Sequence, residues 1–170
     1  RIRNIILGLR NFSRLDESEM KPVDIHSGID STLLMLQHQL TSNDIYPPIE
    51  VIKEYGKLPK VSCYASELNQ VFINIIGNAI DALRQKPKNS EKEDKPKISI
   101  RTSLKNDRNV LVTIADNGIG ISKSVLNKIF DPFFTTKPVG SGTGLGLSTS
   151  YSIVVKKHGG KLSCRTTDSQ

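Results

Sequence analysis

Between Glu67 and Leu83, apolar residues recur at helical spacing. Leu68, Phe72, Ile76, Ala79 and Leu83 share one face of a helix that turns ~100° per residue. Glu67, Asn74, Asn78 and Asp81 fall together on the opposite side, and Val71, Ile73, Ile75 and Ile80 make the flanks between them apolar. The pattern predicts a helix buried nearly all round, with one narrow polar stripe. Buried amides and carboxylates are costly unless paired. The stripe therefore faces an internal network or a charged ligand with its metal, unless it is an ordinary solvated face.

Other segments are arranged around this helix. Ile2, Ile5, Ile6, Leu9 and Phe12 give a stripe over residues 1–18, expected to be the tail of a longer helix. A second helix is predicted over 25–40, with Ile29, Leu33, Leu36 and Leu40 inward. Residues 49–55 read as a strand and 61–63 as a short extended piece. Residues 85–97 are a charged loop of low apolar content. Strands are expected over 97–104 and 110–115, joined by a hairpin connection. A short helix is expected over 122–129, a helix from the glycine run 140–147 to about 157, and a strand over 161–166. No internal repeat is present.

Composition narrows the class only modestly. At 170 residues the chain reads as one domain with room for an appended element, and its net charge of +7 is basic. The charges are scattered, without an aromatic-interleaved basic patch, so no nucleic-acid partner is expected. Cys63 and Cys164 fit no metal-ligand spacing and are expected to be buried apolar thiols in a reducing compartment. No apolar run approaches the ~18 residues of a membrane span, and no signal peptide is visible. The first residue is Arg1, which suggests a fragment of a longer protein.

Two glycine-bearing constellations add chemistry. Asp116-Asn-Gly118-Ile-Gly120 follows a predicted strand. Its carboxylate suits a bound amine, and its glycines permit close backbone approach to a flat ligand; the same residues also make an ordinary turn. Gly140-Ser-Gly142-Thr143-Gly144-Leu145-Gly146-Leu147 precedes a helix start, where free backbone N–H groups suit phosphate. A flexible loop is the bland alternative. The spacing fits neither the Walker pattern nor the dinucleotide G-x-G-x-x-G.

Taken in order, these stretches resemble the ATP-binding domain shared by histidine kinases, gyrase, heat-shock chaperone 90 and mismatch-repair MutL. The likeness is greatest to the catalytic domain of a bacterial sensor histidine kinase. The N box matches Asn74-Ile-Ile-Gly-Asn78-Ala, the G1 box Asp116 to Gly120, the F box Phe130-Asp-Pro-Phe133 and the G2 box Gly142 to Leu147. Gly8 to Asp16 resembles the end of a dimerisation-domain helix, which implies a boundary near residue 20: a helix end over 1–20 and the catalytic domain over 21–170.

The resemblance implies an α+β fold, a two-layer α/β sandwich of the Bergerat type, its mixed sheet covered by helices on one face. It implies ATP and Mg²⁺ as cofactors. Asn78 is then the metal ligand, and Asn74 lies near metal and phosphates. Asp116 takes the adenine amino group, and Gly118 and Gly120 shape the adenine wall. Gly142, Thr143, Gly144, Leu145 and Gly146 line the phosphates under a mobile lid over about 131–146, anchored by Phe130 and Phe133. Lys137 is a phosphate contact and, with Asn74, a catalytic candidate.

The implied partners are the dimerisation/phosphoacceptor domain of a homodimeric parent and a response regulator. The implied location is cytoplasmic, with the parent soluble or membrane-anchored. Two departures from the family pattern stand out. Hydrolysing relatives carry a Glu where this chain has Asn74, and an amide cannot act as a base. Asp81 replaces a residue that is basic in many kinases and receives no role. His26, His38 and His158 lie away from any phosphoacceptor position and are expected to be structural or surface residues. A gyrase- or MutL-like ATPase, or a nucleotide-binding regulatory module without kinase activity, is the alternative.

Overall fold

The computed structural model describes residues 19–41, 45–86, 95–106, 108–137 and 142–166. The helix expected over 1–18, and with it the boundary near residue 20, lies outside these residues. So do 87–94 of the charged loop and 138–141 of the expected lid.

Asp24 opens the first helix, α1 (Ile25–Met35), by accepting from the His26 N–H at 2.9 Å and the Ser27 hydroxyl at 3.0 Å. Such a cap is worth about 1 kcal/mol. Partial desolvation works against the Asp24 charge, but these bonds outweigh it and hold the carboxyl below its ordinary value. The helix predicted over 25–40 is interrupted at Leu36 and resumes as α2 (Gln37–Leu40). Strands β1 (Lys21–Val23) and β3 (Val61–Cys63) pair antiparallel. The main sheet has the order β2 (Glu50–Tyr55), β4 (Lys97–Lys105), β5 (Asn109–Asp116). Its first pair is parallel and its second antiparallel, which makes it mixed.

The 20-residue helix α3 (Ala65–Arg84) is the central element. Phe72, Ile76, Ala79, Ile80 and Leu83 are buried in the core with Ile25 and Ile29 of α1 and Ile98 and Ile100 of β4. Ile76 and Ile80 are 0% exposed, and each such burial contributes about 1.5–3 kcal/mol. The sheet turns one face to the helices. Ile98, Ile100 and Thr102 of β4 point inward, while Arg101 lies outside and pairs with Glu54 of β2. The architecture is the expected two-layer sandwich.

After Gly146 the chain forms α4 (Gly146–Tyr151), which widens into a π-helix, Ser152–Lys157. His158 closes it. Its backbone N–H donates to the Ile153 carbonyl at 3.1 Å, and Nδ1 lies 2.8 Å from the same oxygen. Its Nε2 accepts the Tyr64 backbone N–H at 3.0 Å, at the entry of α3. This is the neutral tautomer protonated on Nδ1.

Three expectations are corrected. Residues 122–129 form linked turns rather than a helix. The amides of Val125, Lys128 and Asp131 each bond a carbonyl three residues back, and Pro132 follows. Residues 161–166 form no strand among the described residues; the Ile121 N–H donates to the Thr166 hydroxyl instead of a backbone ladder forming. For the same reason Cys164 is exposed rather than buried, whereas Cys63 is buried and its thiol is pushed up to about 11 by desolvation.

Candidate nucleotide site

The polar stripe of α3 meets three segments in succession. Asn74 Nδ2 donates to the Gly146 carbonyl at 2.9 Å and to Ser150 Oγ at 3.2 Å, and its Oδ1 accepts from Gln70 at 3.0 Å. Ser150 is fully buried and itself donates to the Gly146 carbonyl at 2.8 Å. Asn74 thus fastens the first turn of α4 to α3. Asn78, one turn on, is half-buried, and no described residue hydrogen-bonds its carboxamide. Gly77 beside it faces open space, since a Cβ there would meet nothing within 4 Å. Asp81 is met by Lys137, whose Nζ lies 2.5 Å from Oδ2. Glu67, at the start of the stripe, pairs with Lys157 of the π-helix.

The second part is set by strand register. Ile98 pairs with Asp116 and Ile100 with Ile114. Because strand side chains alternate, Asp116 shares the helix-facing side with Ile114 and Val112. Asp116 Oδ1 accepts the Gly118 N–H at 2.9 Å. Desolvation pushes this carboxyl above its ordinary range, and the Gly118 bond offsets part of the rise. Asn117 is tied to the start of β4: Oδ1 accepts the Lys97 N–H at 2.8 Å, and Nδ2 donates to the Lys95 carbonyl at 3.0 Å. The Ile119 N–H donates to the Ala82 carbonyl of α3 at 3.2 Å. A Cβ on Gly118 would lie 2.6 Å from the Ala82 carbonyl carbon, so only glycine fits there. Gly120 has φ +73°.

The third part is less enclosed. Phe130 packs on Tyr151 of α4, with ring centroids 5.4 Å apart. Phe133 does not act as a second anchor in this conformation; it is 74% exposed and has φ +65°. Gly144, at φ +66°, is pressed against it, with a Cβ position 2.4 Å from the Phe133 carbonyl carbon. Gly142 abuts the Lys137 stem, and Gly146 lies against Asn74. The Leu145 N–H donates to Thr143 Oγ1 at 3.3 Å, and Leu145 is 39% exposed.

The three parts therefore border one stretch of α3, from Asn74 to Ala82. Residues 63–170 match the model of the histidine kinase-, DNA gyrase B- and HSP90-like ATPase family. The chain belongs to that family. Its relatives are sensor histidine kinases. The signal transduction histidine-protein kinase AtoS of Escherichia coli is 34% identical over 90% of this chain and 23% of its own length. The sensor kinase CckA of Brucella abortus is 34% identical over 96% of this chain and 17% of its own. The sensory histidine kinase/phosphatase NtrB of Rhizobium leguminosarum is 30% identical over 100% and 44%. The chain thus spans less than half the length of each.

Among solved structures, the nucleotide-free catalytic domain of histidine kinase ThkA superposes with a TM-score of 0.65 at 27% identity, covering 84% of this chain and 86% of that one. The mycobacterial sensor histidine kinase MprB gives 0.64 at 25%, covering 82% and 80%. This kinase-type ATP-binding domain uses nucleotide through the fold its family shares.

The residues present fit a magnesium nucleotide. Mg²⁺ keeps waters and substrate phosphates around it and needs only one or two protein oxygens. The Asn78 carboxamide offers one beside the open stretch at Gly77. Sequence reasoning missed Ser150, Asn117 and the Ala82 carbonyl. Ser150 follows Gly146 by four residues, the spacing of a hydroxyl bonding back along a helix. Asn117 is a turn-type residue with a known habit of bonding nearby backbone. Nothing local marks Ala82.

Proposed function

We propose that this domain binds Mg-ATP along the Asn74–Ala82 stretch of α3 and supplies its γ-phosphoryl group to a histidine on the dimerisation/phosphoacceptor domain of a longer, homodimeric parent kinase. A response regulator is the onward acceptor, and the location is the cytoplasm, where ATP is abundant. Among the described residues no helix is long and apolar enough to cross a membrane.

The carrying observation is the convergence of Asp116, Asn78 and the Gly142–Gly146 run on one face of one helix. In this reading Asp116 accepts from the adenine amino group, with Gly118 and Gly120 as the wall beside the ring. Asn78 holds the magnesium ion, which neutralises charge across the phosphates when bound. Asn74 keeps the glycine run in place beneath them, and Phe130, Phe133, Thr143, Leu145 and Lys137 border the phosphate end. Positioning and electrostatics are what such a site contributes to phosphoryl transfer. The attacking imidazole nitrogen forms the bond to the γ-phosphorus as the bond to the bridging oxygen breaks, and ADP leaves. Asn74 carries no base, and its amide protons are committed to Gly146 and Ser150. Water attack therefore lacks a general base, which disfavours the gyrase-like and MutL-like reading.

Two measurements test this. Saturating Mg-bound ATP analogue raises the melting temperature by linkage, equivalent to about 2.7 kcal/mol at a hundredfold excess over Kd. Asn78→Asp or Asp116→Asn removes most of the rise, and no rise in the parent chain defeats the proposal. In addition, this chain with labelled ATP phosphorylates a separately supplied dimerisation domain and not itself. Labelling of His26, His38 or His158 overturns that assignment.

A further inference from the structure

Asp81 has no part in the reading above, yet among the described residues it holds Lys137 of the segment beside α3. The Lys137–Asp81 pair joins residues 56 positions apart, at 2.5 Å, with side-chain exposures of 27% and 40%. Lys137 is placed by its own surroundings. Its backbone N–H donates to Thr135 Oγ1 at 3.1 Å, and its Cδ lies 3.0 Å from where a Gly142 Cβ would sit. Two ties therefore bracket one stretch of helix: Asn74 to Gly146 at one end and Asp81 to Lys137 at the other. Between them lie Asn78, whose carboxamide no described residue bonds, and Gly77, above which a Cβ would meet nothing within 4 Å.

We propose that Asp81 is a positioning residue: it parks Lys137 at the edge of this opening and competes with nucleotide phosphates for the ammonium group. The exchange of Lys137 from carboxylate to phosphate sets how strongly the site distinguishes nucleotides by phosphate number. It rests on the opening being the phosphate end of the ATP cleft. Partly exposed ion pairs are weak, so a polyphosphate carrying several charges displaces the carboxylate. A lysine head on a flexible stem with three donors can swing between the two. Once Lys137 has moved, Asp81 is left beside the phosphates as an uncompensated like charge. The parked pair therefore lowers affinity for di- and triphosphates and leaves the nucleoside untouched.

Calorimetric titration of the full chain with adenosine, Mg-ADP and Mg-ATP tests this in wild type, Asp81→Asn, Lys137→Met and the double variant. Asp81→Asn is expected to tighten Mg-ATP and Mg-ADP several-fold and to leave adenosine unchanged. Lys137→Met weakens both phosphorylated ligands, and Lys137→Arg restores them. In the Lys137→Met background the gain from Asp81→Asn shrinks to the part that comes from like-charge repulsion alone. An equal gain in that background shows plain repulsion and overturns the exchange. A loss of affinity in Asp81→Asn overturns it too, because the pair would then persist in the complex. In either case adenosine binding leaves the cleft assignment standing. Failure of every ligand, adenosine included, defeats the cleft assignment and this inference with it.

Discussion

The two ends of the site are built differently. At the Asp116 end, the turn is pinned by two elements: Asn117 to the start of β4, Ile119 to Ala82 of α3, and Gly118 wedged against the α3 backbone. At the Lys137 end, Phe133 is exposed with positive φ, and among the described residues Thr135 and Thr143 bond amides two residues along their own chain. An ion pair provides the tie to Asp81. One end is preformed by the sheet, and the other is held by contacts that a charged ligand can replace. In the proposed reading, shape selection belongs to the first and charge selection to the second.

Glycine substitutions expose the contrast most strongly. Gly118→Ala forces a methyl to 2.6 Å from the Ala82 backbone, which neither β5 nor α3 can yield to. We expect a loss of about 1–3 kcal/mol in denaturant unfolding, together with loss of nucleotide binding. Gly144→Ala is as crowded on paper, with φ +66° and Phe133 backbone at 2.4 Å. Its neighbour is an exposed segment that can shift, so its global cost is smaller while binding still falls. Equal stability losses would show that both ends are equally rigid.

The next effect is pH dependence. Asp116 is raised by desolvation, so the folded state holds its proton more tightly than the unfolded state. Its contribution to stability falls as pH rises from the ordinary carboxylate value of 3.8 to its raised one. In the proposed reading, nucleotide binding through the carboxylate runs the other way and is expected to be lost as pH drops through that raised value. Asp24 is lowered, so its contribution is intact above the ordinary value and lost as pH falls through the lowered one. Asp116→Asn should remove the binding transition and leave the Asp24 one in place, as read by titration and melting across pH.

The smallest effect is at Gly77. Alanine there has room and a better helix propensity, worth about 0.5–1 kcal/mol of added stability. The methyl enters the opening beside Asn78, so nucleotide affinity is expected to fall. A stabilised protein with unchanged affinity would place the phosphates elsewhere.

Helix α3 was legible because its apolar residues keep a 3.6-residue period over about four turns, and burial follows them from Phe72 to Leu83. The inward face of Asp116 follows from period-two alternation, but only once the Ile98–Asp116 register is known. The turns over 122–129 look helical because Val125 and Ile129 are four apart, a spacing that a chain of tight turns also permits. The strand expected over 161–166 needed a ladder partner, which no local pattern reveals. The Asp81–Lys137 pair joins residues distant in sequence, so charge alone could not mark it, and the exposure of Phe133 depends on a backbone conformation that its own side chain disfavours.

The imidazole of His158 has a mechanical implication. Because one neutral ring clasps the end of the π-helix and the entry of α3 together, the chain leaving residue 158 is coupled to the helix that bears Asn78. Tension applied to that exit would be felt first at Tyr64 and from there along the whole rod.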